Sequence, residues 1–212
     1  MKDGRNLFKV DKKNPDKKQL FIDATICSLA NFGYKRTTVR RIADFAGVTP
    51  GLLTHYFTGK EELIAESYKY FSNLFLEDFK TKIVPMDTDP INALKVYIES
   101  TFAPDDVDPK YLRVWLAFWA VTLSEQDLRM AHKEIYQQYI DAIESILKAA
   151  YTKHNYSLTG RDTRSLAIGI YALLDGLWLE CCLDPEGFSQ RKSLETAYQF
   201  IESSTGLIIN GR

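Results

Sequence analysis

Between Thr38 and Phe57 the sequence starts, stops and restarts a helix within twenty residues. Thr38 carries the hydroxyl needed to cap a short helix in which Val39, Ile42 and Ala43 share the inner face, and Gly47 ends it. Thr49 followed by Pro50 is a second cap and first-turn pair. Two helices this short must cross at a fixed angle, so their contact needs small residues and their turn a glycine. Ala43, Ala46 and Gly47 meet that need, with Val48 and Leu53 filling the space beneath. This pattern predicts a helix-turn-helix.

The same grammar extends along the chain. Ile22, Ile26 and Leu29 recur on one face of a first helix that is expected to stop at Gly33. Thr58-Gly59-Lys60-Glu61 has capping-box spacing and opens a fourth helix with a stripe of Ile64, Tyr68, Phe71, Phe75 and Phe79. Asp89-Pro90, Asp108-Pro109, Ser124 to Asp127 and Thr159 to Asp162 are further start signals. They predict helices at 89–102, 109–122, 125–151, 160–183 and 189–204. The longest carries Leu128, Ala131, Ile135, Tyr139, Ala142 and Ile146 on one stripe. No segment alternates with a two-residue period, so the expected fold class is all-α with about nine helices.

Charge divides the chain unevenly. The net charge is −1, which excludes a uniformly basic nucleic-acid coat. Residues 1–60 nevertheless hold twelve basic and five acidic side chains, a net +7, which leaves −8 on the remaining 152. A basic head on an acidic body fits one end meeting an anionic polymer. The expected boundaries are a flexible basic tail at 1–14, a DNA-binding domain at 15–60 with its motif at 38–57, and a second helical domain at 61–212.

The second helix of the motif enters the major groove with its N-terminal residues nearest the bases. Its outward positions are Thr49, Gly51, Leu52, Thr54, His55 and Tyr56, so reading would rest on hydroxyls, an imidazole and apolar contact with thymine methyls. Thr38, at the start of the preceding helix, joins them. Lys35, Arg36, Arg40, Arg41 and Lys60 supply the charge to neutralise phosphates.

Other chemistries find little support. His55, His132 and His154 lie far apart, with no cysteine or acid at metal-ligand spacing, so no metal is expected. There is no phosphate-binding glycine loop and no nucleophile elbow, and neither an enzyme nor a cofactor is expected. Cys27, Cys181 and Cys182 make a poor disulfide framework and fit a reducing cytoplasm. The longest apolar run, Val114 to Val121, falls well short of the roughly 20 residues a membrane helix needs.

Gly33-Tyr34, Thr37-Thr38-Val39, Ile42-Ala43, Ala46-Gly47-Val48, Leu53, His55-Tyr56-Phe57 and Lys60-Glu61-Glu62-Leu63 together resemble the N-terminal domain of TetR-family transcriptional regulators. The resemblance implies a cytoplasmic, nucleoid-associated homodimer on a palindromic double-stranded operator. It also implies a small-molecule inducer and a dimer interface built from the helices at 160–183 and 189–204. The 61–212 region would then bind ligand and dimerise. Trp115 to Ala120 and Leu174 to Leu179, with His55-Tyr56-Phe57, are similar to the BetI branch, whose members repress choline-to-betaine genes and release them on binding choline.

A quaternary ammonium needs aromatic faces and a nearby carboxylate. Tyr111, Trp115 and Trp119 share a helix face, with Phe118 beside it, while Asp175 and Trp178 are neighbours on another helix. Asp175 lies in an apolar helix, where a carboxylate is costly without a partner, and is the first candidate anion. Glu180 is the second. Core packing explains a Trp/Phe stripe equally well, and the same rings would serve a broad hydrophobic-cation sensor controlling an efflux or degradation operon.

Overall fold

In the computed structural model, which describes residues 8–83, 89–103, 108–156, 160 and 162–210, the chain forms nine α-helices and no strand among those residues. They are α1 (Lys17–Arg36), α2 (Val39–Ala46), α3 (Pro50–Tyr56), α4 (Lys60–Ile83), α5 (Pro90–Thr101), α6 (Pro109–Thr122), α7 (Gln126–Lys153), α8 (Thr163–Leu183) and α9 (Gln190–Thr205). The expected helix starts mostly hold. Thr38 accepts from the Arg41 amide at 3.2 Å, and Asp162 accepts from the amides of Arg164 and Ser165. Gly47 ends α2 at φ 70°, ψ 33°, a left-handed conformation that an L side chain resists.

The first helix breaks at Gly33 as expected: Gly33 adopts φ 68°, ψ 179°, and a short further segment carries the chain to Arg36. Two local expectations need correction. At the start of α4 the Thr58 amide and hydroxyl donate to Glu62 at 2.6 and 2.7 Å, so the reciprocal acid is one residue later than Glu61. The tail expected to be flexible is anchored in its described part. Val10 packs against the helix-turn-helix core, the Phe8 ring lies 4.8 Å from Tyr111, and the Asn14 amide closes a turn onto Asp11. Apolar residues interspersed among the lysines make this possible. Residues 1–7 lie outside the described residues.

The chain divides into two compact units, and the division does not follow the expected break at residue 60. One unit comprises Met1–Phe75 with Lys110–Lys133, and the other Leu76–Pro109 with Glu134–Arg212. In the first, α2 packs on α1 and α3 on α2, around Leu20, Phe21, Ile42, Leu53, Phe57 and Leu63. Burying each large side chain contributes roughly 1.5–3 kcal/mol, which is how three short helices hold a fixed angle.

In the second unit α8 packs along α9, and α5 touches both. The inner stripe of α8, Ala167, Ile170, Leu174, Leu177 and Cys181, is buried. Its opposite face leaves Ile168 at 42% and Leu183 at 59% exposure, and Phe200 on α9 at 59%. Apolar on both sides, α8 is by length and composition apolar enough to cross a membrane, although Asp175 and Glu180 interrupt it. The three cysteines are free and buried; Cys181 Sγ lies 2.9 Å from Ser193 Oγ.

Candidate functional site

The reading surface is built upward from the αL turn at Gly47 and the buried plug Leu53. Thr49, Gly51, Thr54 and His55 are exposed along α3, as expected. Leu52 and Tyr56 are only partly so, because both also pack against the helix-turn-helix core; the Tyr56 ring lies 5.9 Å from Phe21 and 5.6 Å from His55. Thr54 spends its hydroxyl on the Gly51 carbonyl at 2.9 Å, which orients it without removing its capacity to accept.

The basic side chains fall into two kinds. Lys35 and Arg40 are exposed, and Arg36, exposed as well, is held by Phe32, its guanidinium carbon 5.6 Å from the ring centroid and its Nε donating to the Phe32 carbonyl at 3.3 Å. Arg41 is held, its guanidinium 4.3 Å from the Phe32 centroid and donating to the Arg36 carbonyl. Lys60 is held too: Nζ lies 3.8 Å from the Tyr34 centroid and donates to the Tyr34 carbonyl at 3.2 Å. Its burial lowers its pKa, by desolvation of the ammonium. A cation fixed on a ring pays less side-chain entropy on meeting a phosphate than a free one. Thr38 is exposed, with its hydroxyl accepting the Arg41 amide.

Lys12 falls within the basic tail expected at 1–14. Its side chain lies over the turn, with Cδ 3.1 Å and Nζ 3.6 Å from where a Cβ at Gly47 would stand. The hydrophobic Val10 two residues earlier was the available signal that this stretch docks.

The six predicted ligand residues separate by unit. Tyr111, Trp115, Phe118 and Trp119 belong to the first, where Tyr111, Trp115 and Phe118 pack with Phe71 of α4 at centroid distances of 6.1, 5.1 and 5.7 Å. Phe118 is fully buried, while Trp115 and Trp119 are half-buried and stacked at 6.3 Å. Tyr68 completes this cluster, its hydroxyl 2.9 Å from His132 Nδ1. His132 is half-buried, and desolvation lowers its pKa.

Asp175 and Trp178 belong to the second unit. Asp175 is an exposed residue by area, yet protein crowds its carboxyl enough to push its pKa from 3.8 up to about 6. Desolvation is the cause, partly offset by a hydrogen bond from the Tyr171 hydroxyl. The same carboxylate raises the pKa values of Tyr97 and Tyr171, adding to the larger effect of their burial. Tyr171 lies 5.6 Å from Tyr139, and Phe79 lies 4.6 Å from Tyr97 and 5.1 Å from Tyr139. Trp178 is half-buried and Glu180 exposed. Among the described residues no group of three or more His, Cys, Asp or Glu is placed to hold a metal.

Residues 21–67 match the bacterial regulatory proteins of the tetR family, and residues 90–206 match the BetI-type transcriptional repressor C-terminal domain. The chain belongs to the BetI-type TetR regulators. A relative from Pseudomonas fluorescens named HTH-type transcriptional regulator BetI is 30% identical over 89% of this chain and 92% of its own. A similarly named Serratia proteamaculans protein is 27% identical over 88% and 91%. A putative transcriptional regulator of Pseudomonas aeruginosa PAO1 has the same fold, with a TM-score of 0.80 at 27% identity and 95% coverage of both chains. The fold is also shared with a putative regulator from Saccharomonospora viridis solved in complex with choline, at a TM-score of 0.71 and 17% identity, over 87% of this chain and 95% of that one. BetI-type TetR proteins are DNA-binding regulators and not enzymes; regulators of this kind bind operator DNA and small ligands and dimerise.

Proposed function

We propose that this BetI-type regulator represses from a palindromic operator as a cytoplasmic, nucleoid-associated homodimer and is released by a quaternary ammonium compound such as choline. The observation that carries the DNA half is the row of exposed α3 residues, Thr49, Gly51, Thr54 and His55, flanked by Arg40, Lys35 and Arg36 and by the ring-held Arg41 and Lys60. Thr38, Leu52 and Tyr56 complete the interface. The first helix turn of α3 meets bases, and the cations meet phosphates on either side.

The dimer is assigned to α8 and α9. The exposed Ile168, Leu183 and Phe200 form an apolar face of the kind a soluble chain covers with a partner. Gly169 and Gly176 have no heavy atom within 4 Å of a Cβ built on them, leaving room for another helix to approach.

Two sets of residues are candidates for the ligand, each within one unit: Tyr111, Trp115, Phe118 and Trp119 in the first, and Asp175 with Trp178 in the second. Support comes from their aromatic character, from the unneutralised carboxylate, and from the choline bound by the S. viridis protein. α4 and α7 are continuous through both units, so a ligand that favours one arrangement of either helix can bias the reading heads. A 100-fold loss of operator affinity needs about 2.7 kcal/mol of coupling.

Mobility shift with DNA upstream of the protein's own gene, with and without choline chloride, tests the reading. A shift relieved by choline supports it, and no shift at any salt retires it. A shift relieved by bulkier lipophilic cations but not by choline would favour the broad hydrophobic-cation sensor. Arg40→Ala should weaken binding to all DNA alike and reduce the slope of log affinity against log salt by about 0.9. An unchanged slope removes Arg40 from the phosphate contacts.

A further inference from the structure

We propose that Lys12 is a DNA-contacting residue, docked over the turn of the helix-turn-helix, where it delivers a phosphate contact that the motif itself lacks. The proposal rests on the operator-binding reading above. It extends the interface to residues 8–16, which lie before the motif begins.

The motif's own cations stand at its ends. Lys35, Arg36, Arg40 and Arg41 lie around the start of α2 and Lys60 opens α4. From Ile42 to Gly59 there is no lysine or arginine, and one acid, Asp44. The turn at Gly47, two residues before the Thr49 N-cap of α3, therefore has no positive charge of its own. A reading helix enters the major groove with its N-terminal end nearest the bases, and phosphate contacts on the strands around it fix its register.

Lys12 brings a cation to that turn. Its Cδ, Cε and Nζ lie 3.1, 3.5 and 3.6 Å from where a Cβ at Gly47 would stand, so the whole end of the side chain runs along the turn. Lys12 and Gly47 are both exposed, and the Lys12 ammonium makes no ion pair among the described residues. It is open to a phosphate.

The chain on either side holds the lysine there. Val10 packs against the helix-turn-helix core, and the Phe8 ring lies 4.8 Å from Tyr111 and 5.7 Å from Lys110 Nζ on α6. Asp11 turns its carboxylate onto the backbone, accepting from the Lys13 amide at 2.9 Å, and its carbonyl accepts from the Asn14 amide at 3.0 Å. The Asn14 side chain accepts from the Asp16 amide at 2.9 Å, and Asp16 caps α1. This run of bonds ties Val10 to the first turn of α1. A lysine so placed loses less conformational freedom on meeting a phosphate than one on a loose tail.

The experiment is a fluorescence-anisotropy titration of the full-length protein with a labelled duplex from upstream of its own gene, repeated across potassium chloride concentrations. A heterologous duplex of the same length is run alongside, and a circular-dichroism melt is taken for each variant. Lys12→Ala should lower affinity for both duplexes about tenfold per reading head near 0.1 M salt, and reduce the slope of log affinity against log salt by about 0.9 per head. Lys12→Arg should restore both. Lys133→Ala, which removes an exposed lysine of α7, should match the wild type. Val10→Ser should cost a few-fold, and Lys12→Ala should cost less in that background than alone, because an unanchored lysine no longer stands at the turn.

If Lys12→Ala keeps the wild-type affinity and slope, the proposal is overturned and the operator reading stands. The same holds if Lys12→Ala lowers only the melting temperature, since a cation also favours the C-terminal end of α2 without any DNA. An equal cost of Lys12→Ala with and without Val10 would make the lysine a loose counter-ion and overturn its docking. If the wild type binds neither duplex at low salt, the operator reading itself fails and this assignment falls with it.

Discussion

Two aromatic clusters occupy the two units, and they differ by a single charge. Around Phe71 in the first, Tyr68, Phe75, Tyr111, Trp115 and Phe118 meet edge-on or tilted at 4.9–6.3 Å, and the Tyr68 hydroxyl lies 2.9 Å from His132 Nδ1. Around Tyr139 in the second, Phe79, Tyr97 and Tyr171 pack at similar distances, but a carboxylate stands among the hydroxyls. Ring geometry alone does not separate packing from recognition. What differs is the exposed carboxylate of Asp175, whose charge raises the pKa values of Tyr97 and Tyr171.

The comparison can be broken by making each cluster behave like the other. Phe71→Ala removes a fully buried ring that touches four others, and should cost about 3–5 kcal/mol of stability, read by urea or thermal denaturation. A cost below about 1 kcal/mol would mean that the first cluster is loosely packed and has room for a ligand.

A smaller effect is expected where Tyr68 meets His132. Tyr68→Phe keeps the ring and deletes the hydroxyl facing His132 Nδ1, which should cost about 1 kcal/mol of stability, read by thermal denaturation. An unchanged melting temperature would make the hydrogen bond dispensable.

The smallest effect should carry the opposite sign. The folded-state pKa of Asp175, about 6, lies above the ordinary 3.8. Between those values the folded protein holds a proton that the unfolded chain has released, so stability rises as pH falls through 6 and the gain is complete below 3.8. Asp175→Asn should therefore raise the melting temperature of the ligand-free protein modestly at pH 7.5 and remove this rise. A variant that melts lower at pH 7.5 would show that the carboxylate is a structural partner in the ligand-free protein.

How much of this is legible in the chain depends on distance along it. The helix-turn-helix could be read almost residue by residue, because caps, the αL glycine and first-turn proline act within four or five positions. The exceptions follow from packing. Leu52 and Tyr56 lie on the outward arc by periodicity but turn partly into the core, and Lys12 reaches the Gly47 turn because Val10 anchors its segment. Asp175 could be singled out as a charge in an apolar helix. Its partners could not: Tyr97, Tyr139 and Tyr171 are three of twelve tyrosines, and each sits unremarkably on its own helix.

By itself, then, the sequence determined an all-helical regulator with a basic reading head, since helix boundaries and charge are properties of neighbouring residues. The tertiary structure decided which aromatic residues surround Asp175 and which close into core, and it tied the head to part of α4 and to α6 rather than separating it at residue 60. Those outcomes depend on long-range packing and on the desolvation it brings, and neither has a signature in local spacing.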